Sequence, residues 1–232
     1  MIKSALYALP FIILANTAMA DPFNMEGTTT IGTGHVQAQI LGQTTRTTDE
    51  WSGNYSTLKA TYGITSNLDV FASAPLTYSK FDNQSSVNTF GDVQIGAKYR
   101  VLEVGPYSVA VKPSVYAPVI NDSARVELPV YATYTGKDWS VSAGGGYTVN
   151  FNTVGTNTQF VGLLGTYNVS DNLKVGTEVY HTFQTVEDTT VGLGATYNVN
   201  ARSALLAYVS TGVQNEQTNN EFTARLGYRY TY

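Results

Sequence analysis

Few residues of this sequence stand in a pattern that could do chemistry. Its 232 residues include two histidines and no cysteine, which excludes thiol catalysis and cysteine-ligated metals. The sequence has no His-Glu-x-x-His motif and no acidic calcium loop, and Gly-Thr-Gly at 32–34 is too short to cradle a phosphate. We therefore expect no catalytic residue, no metal and no cofactor. The basic side chains can attract an anion.

The beginning of the chain predicts export. Residues 1–20 combine a lysine near the start, a short apolar run and the small-residue pattern Ala-Met-Ala at 18–20. This is the layout of a cleavable signal peptide, and the apolar run, interrupted by Pro10, is too short to span a membrane. Cleavage after Ala20 would remove Lys3 and no acid, leaving 12 basic and 17 acidic residues, a formal net charge of −5. That balance argues against nucleic acid as a partner.

A repeated hairpin pattern organises the rest of the chain. Segments such as ATYGITSNLDVFAS (60–73), GTYNVSDNLKVGTE (165–178) and ATYNVNARSALLAY (195–208) each hold two strands joined by a few turn residues. The pattern predicts twelve strands, at 35–46, 55–65, 68–80, 92–103, 106–118, 125–135, 138–150, 158–169, 172–183, 189–199, 202–213 and 221–232.

The connections between these strands alternate in length. Every second connection is a turn of about two residues, and the others are longer and polar. An even number of antiparallel strands with this alternation is typical of an outer-membrane β-barrel, with short periplasmic turns and longer extracellular loops. We predict an all-β transmembrane barrel over residues 35–232, located in the outer membrane of a Gram-negative bacterium.

The two faces of the strands favour a barrel over a soluble sandwich. On most strands, apolar and aromatic side chains alternate with Gly, Thr, Asn, Ser and charged residues. Such a polar face would make a poor dry core, whereas a wet lumen inside and lipid outside would suit both faces. Residues 202–213 are apolar on both parities, so the pattern does not orient them. Bulges or early strand ends are expected where proline falls inside a strand. This happens at Pro75, Pro113 and Pro129.

The inward parity collects basic and aromatic residues. Twelve strands about 4.8 Å apart and tilted by about 40° enclose a lumen roughly 12 Å wide once side chains are subtracted. Inward rings at Tyr55, Phe71 and Phe160 narrow it further, and we expect the segment 21–34 to lie near its periplasmic mouth. The predicted pore-lining residues are Lys59, Lys98, Arg100, Lys112, Lys174, Arg225, Arg229, Tyr116, Tyr131 and Tyr180.

Two interpretations of these bases stay open. They could form a zone that favours small anions, because a narrow, low-dielectric pore concentrates the field of its wall on a passing ion. Alternatively they could pair with inward acids and merely fill the lumen, with Asp69 beside Lys98 and Arg100, and Glu178 beside Lys174.

Aromatic residues are predicted to mark the membrane boundary and the end of assembly. Six tyrosines recur on the apolar parity near the periplasmic strand ends, where a ring can lie in hydrocarbon and its hydroxyl among lipid headgroups. This membrane-interface belt comprises Tyr62, Tyr99, Tyr134, Tyr167, Tyr197 and Tyr228. The last strand must pair with the first to close the barrel, and its alternating Tyr228, Tyr230 and Tyr232 resemble the C-terminal signal read by the barrel-assembly machinery.

One stretch carries a family resemblance. ITSNLDVFASAPLTY (64–78), followed by a polar loop and FGDVQIGAKYRV (90–101), resembles the outer-membrane proteins grouped under the MetA-pathway of phenol degradation. The match covers about 40 residues, and the rest is a generic barrel pattern. The resemblance implies a barrel and, through the family's name, uptake of hydrophobic or aromatic compounds.

Three functional classes follow from these observations. The first is a channel for small, aromatic or anionic solutes, and the second is a structural or adhesive barrel that acts through its surface loops. The third is a lipid-facing hydrolase, which we do not expect, because no serine shares the outward face with His181 and His35 fits a solvated lumen position. The sequence identifies neither the solute nor the oligomeric state.

Overall fold

The structure is a computed structural model that describes residues 22–47, 50–81, 87–119, 124–151, 157–183, 188–214 and 222–232. The predicted signal peptide, residues 1–20, and parts of the predicted long loops lie outside this range. In the part described, no helix is long and apolar enough to cross a membrane. The strands are β1 Val36–Arg46, β2 Glu50–Gly63, β3 Leu68–Phe81, β4 Val87–Phe90, β5 Val93–Val104, β6 Tyr107–Val111, β7 Ser114–Ala117, β8 Arg125–Thr135, β9 Trp139–Asn150, β10 Thr158–Asn168, β11 Leu173–Phe183, β12 Asp188–Asn198, β13 Ser203–Gln214 and β14 Phe222–Thr231.

These strands form one closed antiparallel sheet. Consecutive strands pair in chain order, and β1 pairs with β14 from Gln37↔Thr231 to Arg46↔Phe222, so the sheet returns to its own beginning. β4 pairs only with residues 76–79 of β3. β6 and β7 are two halves of one wall strand, since both lie between β5 and β8. The chain is therefore a transmembrane barrel of twelve strands, as the sequence predicts, with two additional strand segments that it does not predict.

The prolines affect the wall in three ways. Pro113 ends β6 early, and its carbonyl still accepts a hydrogen bond from Ala97 N at 3.0 Å. Pro75 stands where the partner of β3 changes from β5 to β4. Pro129 stays inside β8 without a register shift, and its carbonyl accepts from Lys112 N at 3.0 Å. Because N–H and C=O of one antiparallel residue point to the same neighbour, the Pro129 nitrogen faces the break between β6 and β7.

The strand ends match the predicted ones closely, with two exceptions at the long-loop end. β2 begins at Glu50, inside the predicted loop, and β4 was not predicted at all. The register of β2 shifts between Asn54 and Ser56, so Tyr55 occupies a bulge, where it is 56% exposed and stacks on Tyr78 with ring centroids 4.6 Å apart. The prediction that Tyr55 points into the lumen is therefore wrong, because one extra residue reverses the parity above a bulge.

The outer surface of the barrel is apolar. Leucine, valine and isoleucine side chains on alternate positions are exposed, such as Ile95, Leu163 and Leu193, and the intervening polar side chains are buried inside. A surface of this kind requires lipid around it. The strand that the pattern could not orient, β13, exposes Leu205 and Val209 and buries Leu206 and Tyr208 in the interior.

The six tyrosines of the predicted belt lie close to the short-turn ends of their strands. Five of them are 40–53% exposed on the outer surface. The sixth, Tyr134, is partly covered by an aromatic ladder, with ring centroids 5.0 Å from Tyr107 and 5.2 Å from Trp139. Their role as a membrane-interface belt stays a prediction.

We predict that the purified protein resists unfolding by SDS at room temperature and changes electrophoretic mobility only after boiling. Lipid-facing strands that pair with a neighbour on both sides around a closed sheet offer no edge at which detergent can begin unfolding. Electrophoresis with and without heating, together with a β-type circular dichroism spectrum, measures this. A helical spectrum and a single mobility would contradict the fold.

We also predict that deletion of residues 228–232 prevents membrane assembly. The deletion removes the partners of Gln37–Ile40 on β1 and leaves two strand edges in lipid, where each unpaired backbone group costs several kcal/mol. Fractionation of cells that express the truncated chain should find little of it in the outer membrane. Replacement of Tyr228, Tyr230 and Tyr232 by phenylalanine is the matched control, since it keeps both the strand and the rings. Normal insertion of the truncated chain would rule the prediction out.

Candidate functional site in the barrel lumen

The barrel encloses a cavity of about 1180 Å³ that begins at the short-turn end. At its mouth lie His35, Ser66 and Lys137, and at its inner end lie Tyr116 and Tyr180. Most of the lining side chains are polar or charged. The interior therefore resembles a wet passage rather than a packed core.

The N-terminal segment, here residues 22–31, lies inside this lumen. At the short-turn end, Thr30 Oγ1 donates a hydrogen bond to Ser66 O at 2.7 Å, and Ile31 N donates to the Asp69 carboxylate at 3.0 Å. Further inside, Pro22 and Met25 are fully buried among wall residues. The segment thus runs from the mouth to the middle of the barrel, deeper than the periplasmic mouth near which the sequence suggested it.

Two apolar side chains of the segment pack into hollows in the wall. Met25 and Phe23 form a buried cluster with Tyr131, Phe160, Leu164 and Tyr208, to which Tyr180 adds a partly buried ring. The hollows exist because the wall carries glycine there. A Cβ on Gly162 would lie 2.5 Å from the Met25 sulfur, and a Cβ on Gly176 would lie 2.7 Å from the Phe23 ring. Any other residue at either position would have to displace the segment or the strand.

Two charged wall residues bind the tip of the segment, residues 22–25, which lies deepest in the lumen. The buried Glu178 carboxylate accepts hydrogen bonds from Asn24 N (3.1 Å), Met25 N (2.9 Å) and the Tyr208 hydroxyl (2.5 Å). Arg225 donates to Pro22 O at 3.0 Å and to Asn24 Oδ1 at 2.5 Å. Hydrogen bonds to ionised groups are the strong ones, so these contacts fix the backbone of the tip.

A cluster of three lysines surrounds the only acidic side chain of the segment. Glu26 Oε1 lies 2.5 Å from Lys112 Nζ and 3.9 Å from Lys59 Nζ, and Glu26 Oε2 lies 2.9 Å from Lys98 Nζ. The Lys59 and Lys112 ammonium groups also lie 4.9 and 4.8 Å from the centroid of the Phe71 ring. Three cations around one carboxylate strongly favour its ionised form.

The predicted pore-lining residues divide into two groups. Two of them, Arg225 and Arg229, face inward but do not border the open cavity. Arg225 is covered by the segment, and Arg229 is buried near Asn198. The eight that border the cavity are Lys59, Lys98, Arg100, Lys112, Lys174, Tyr116, Tyr131 and Tyr180.

Several of these side chains have wall partners. Arg100 pairs with Glu103 at 3.2 Å, and the Tyr116 hydroxyl donates to Glu127 at 2.9 Å. Near the long-loop end, Arg125 pairs with Asp92 at 3.2 Å and lies over the Tyr116 ring. The two acids that the sequence suggested as partners of the bases, Asp69 and Glu178, both bind the N-terminal segment.

The sequence indicated the bases but missed the residues that bring them together. Glu26, Phe23 and Met25 belong to the segment 21–34, which the sequence placed only near the periplasmic mouth, without contacts to the wall. Two signals could have revealed their role. One is the apolar inner face of β13, and the other is the row of inward glycines on β9 to β12, which leaves hollows that some side chain must fill.

Within the described ranges, no group of three or more His, Cys, Asp or Glu side chains could hold a metal ion. His181 shares the outward parity of β11 with the exposed Val179 and Phe183. Its Nδ1 lies 2.7 Å from Thr189 Oγ1, and its ring packs on Phe183 with centroids 4.3 Å apart.

Comparisons with known proteins agree with the fold. No curated protein matches the sequence. The crystal structure of an outer membrane channel from Pseudomonas putida F1 is similar with a TM-score of 0.72 at 17% identity, covering 90% of this chain and all of that one. The KdgM porin gives a TM-score of 0.58 at 11% identity, with 84% and 99% covered. The CymD monoaromatic hydrocarbon channel gives 0.56 at 8% identity, with 86% and 89% covered.

These likenesses show an outer-membrane barrel fold. The family match extends over nearly the whole chain. The model of the family described as "Putative MetA-pathway of phenol degradation" matches residues 20–230, and the chain therefore belongs to that family.

Proposed function

We propose that this protein is an outer-membrane channel for small solutes whose passage is closed, in the state described, by its own N-terminal segment. The observation that carries the proposal is the polar, basic lumen, in which the ten-residue segment is held against the wall only by noncovalent contacts and leaves a cavity of about 1180 Å³. A barrel built for stability alone needs fewer strands, because the wall side chains then fill its centre, as in narrow barrels. A separate segment inside a wet lumen suits a passage that opens and closes.

The similar solved structures support this proposal, because they are named as a channel, a porin and a monoaromatic hydrocarbon channel. The family description points to aromatic compounds, and the basic lumen favours anionic ones. We therefore propose small anionic or aromatic solutes, with export through the predicted signal peptide and assembly through the C-terminal tyrosines. The adhesive alternative has less support, because the similar solved structures are named as channels and porins.

We infer that the protein is not an enzyme. The partners of His181 are a threonine and a phenylalanine, which form no nucleophile–base–acid arrangement. A lumen that binds by charge and apolar contact needs no reaction to account for it.

Deletion of residues 22–31 should open the channel. Removal of the segment clears the centre of a lumen roughly 12 Å wide, so we expect a conductance several-fold higher than that of the full chain. Single-channel recording in planar bilayers measures it. As a milder variant, Phe23→Ser with Met25→Ser should raise the fraction of time spent open without changing the open conductance. Equal conductance and equal open time in all three proteins would contradict a plug.

The open channel should prefer anions. Once the segment is absent, Lys59, Lys98 and Lys112 face the passage without Glu26, and their field acts on passing ions. In a KCl gradient, the reversal potential of the deletion variant should indicate chloride selectivity, and Lys98→Gln with Lys112→Gln should reduce it.

Lys80→Gln is the matched control, since it removes the same charge from an exposed position on the outward parity of β3. Cation selectivity, or an equal effect of the control, would refute the electrostatic role of the cluster.

A further inference from the structure

Met25 and Glu26 occupy two adjoining hollows of the wall. The Met25 side chain fills the space beside Gly144 and Gly162, with Tyr131 at its edge. The Glu26 carboxylate, one residue further along, lies among the three lysines. An apolar group and a carboxylate thus bind side by side.

The wall makes the two hollows continuous. Lys112 follows β6, and Tyr131 is opposite Ala110 on the neighbouring β8, so the lysine cluster borders the aromatic hollow directly. On the other side, Phe71 lies between Lys59 and Lys112. A Cβ on Gly96 would lie 2.6 Å from the Phe71 ring, so glycine at this position lets the ring lie flat against the wall.

The charges of the cluster do not balance without an anion. Three ammonium groups share the Glu26 carboxylate, and the nearby Asp69 carboxylate accepts a hydrogen bond from Ile31 N of the segment. When the segment withdraws, Glu26 leaves and Asp69 loses this bond, so three lysines face one remaining carboxylate. This excess of positive charge favours an anion from solution in the place of Glu26.

We propose that Met25 and Glu26 are an internal stand-in for the solute, and that the hollow they fill is a binding site for a small aromatic carboxylate. The carboxylate of the solute replaces that of Glu26 on Lys59, Lys98 and Lys112. Its ring replaces the Met25 side chain beside Tyr131 and Phe160. Solute binding and plug binding are then mutually exclusive, so the solute itself releases the segment. This inference rests on the proposed channel function, because it names the solute class of that same lumen.

Competition between Glu26 and the solute predicts a measurable change in the affinity for the solute. Glu26→Gln weakens the internal ligand without altering the wall, so a solute that competes with it should bind more tightly to the variant. We expect the half-saturating concentration of benzoate to fall about tenfold, the size expected for loss of one charge-assisted contact. Lys112→Gln in the same background should raise it again.

Met25 provides the probe. The sequence has three methionines, and the other two, Met1 and Met19, lie in the predicted signal peptide. Protein purified from membranes and labelled at the methionine methyl group should therefore give one methyl resonance, displaced by the surrounding rings. Titration with benzoate should move it in a saturable way towards the position of a solvated methionine.

Two other probes separate charge from ring. Benzamide has the ring without the negative charge, and acetate has the carboxylate without the ring, so neither should displace Met25 at concentrations at which benzoate does. Glu103→Gln is the matched control, since it removes a carboxylate that pairs with Arg100 outside the cluster. Equal displacement by benzamide, no displacement by benzoate, or a Glu26→Gln affinity equal to that of Glu103→Gln would overturn the inference.

The failure of this inference and that of the channel function give different results. If the segment deletion conducts ions but benzoate never displaces Met25, the channel remains and the carboxylate site is refuted. If benzoate displaces Met25 but no variant conducts, the site stands as a binding site and the channel is refuted.

Discussion

The hydrogen-bonded closure between β1 and β14 is the constraint on which the rest of this structure depends. Hydrocarbon offers no partner for a backbone N–H or C=O, so a strand edge cannot remain open in lipid. The chain therefore pairs its last strand with its first over ten positions, and Val36 and Tyr232 exchange two further backbone bonds at the very end, at 3.1 and 2.7 Å. The unbroken alternation up to the last residue follows from this requirement, because a frayed end would reopen the seam.

Closure has a consequence inside the barrel. Twelve strands form a cylinder too wide for its own side chains to fill, so the interior must hold water, a ligand or another part of the chain. Here the N-terminal segment enters the lumen, and the wall is built around it. Glycines on the inner face make room for Phe23 and Met25, and acids and bases of the wall bind its backbone and Glu26. The wall and the segment are therefore one interface, although they are far apart in the sequence.

The sequence predicted the wall well and the interior poorly, and the reason is physical. A strand with lipid on one side and water on the other must alternate with period two, so the wall strands, their order and the outward tyrosines could be derived from local pattern. The bulge at Tyr55 broke that inference locally, because a single extra residue reverses the parity.

Contacts of the segment have no such periodicity. Asn24 bonds to Glu178 and Glu26 to Lys112, partners separated by many residues whose proximity depends on how the barrel closes. The traces they left are the row of inward glycines and the apolar inner face of β13. That face is inconsistent with a wet lumen until Phe23 is placed against Tyr208, with ring centroids 5.6 Å apart.

The energetics of the segment explain how a plug of this kind can be both ordered and removable. Ordering the backbone of ten residues costs about 10–20 kcal/mol. About fourteen hydrogen bonds and ion pairs to the wall, at about 1 kcal/mol net each, return roughly 14 kcal/mol. Burial of the Phe23 and Met25 side chains adds about 3–6 kcal/mol. These contributions nearly cancel, so the bound state is held by a small difference. The loss of one charged contact, or competition from one anion, is then comparable to the whole free energy that holds the segment in the lumen. The wall is fixed by its closed backbone pairing, whereas the segment is held only by this small difference.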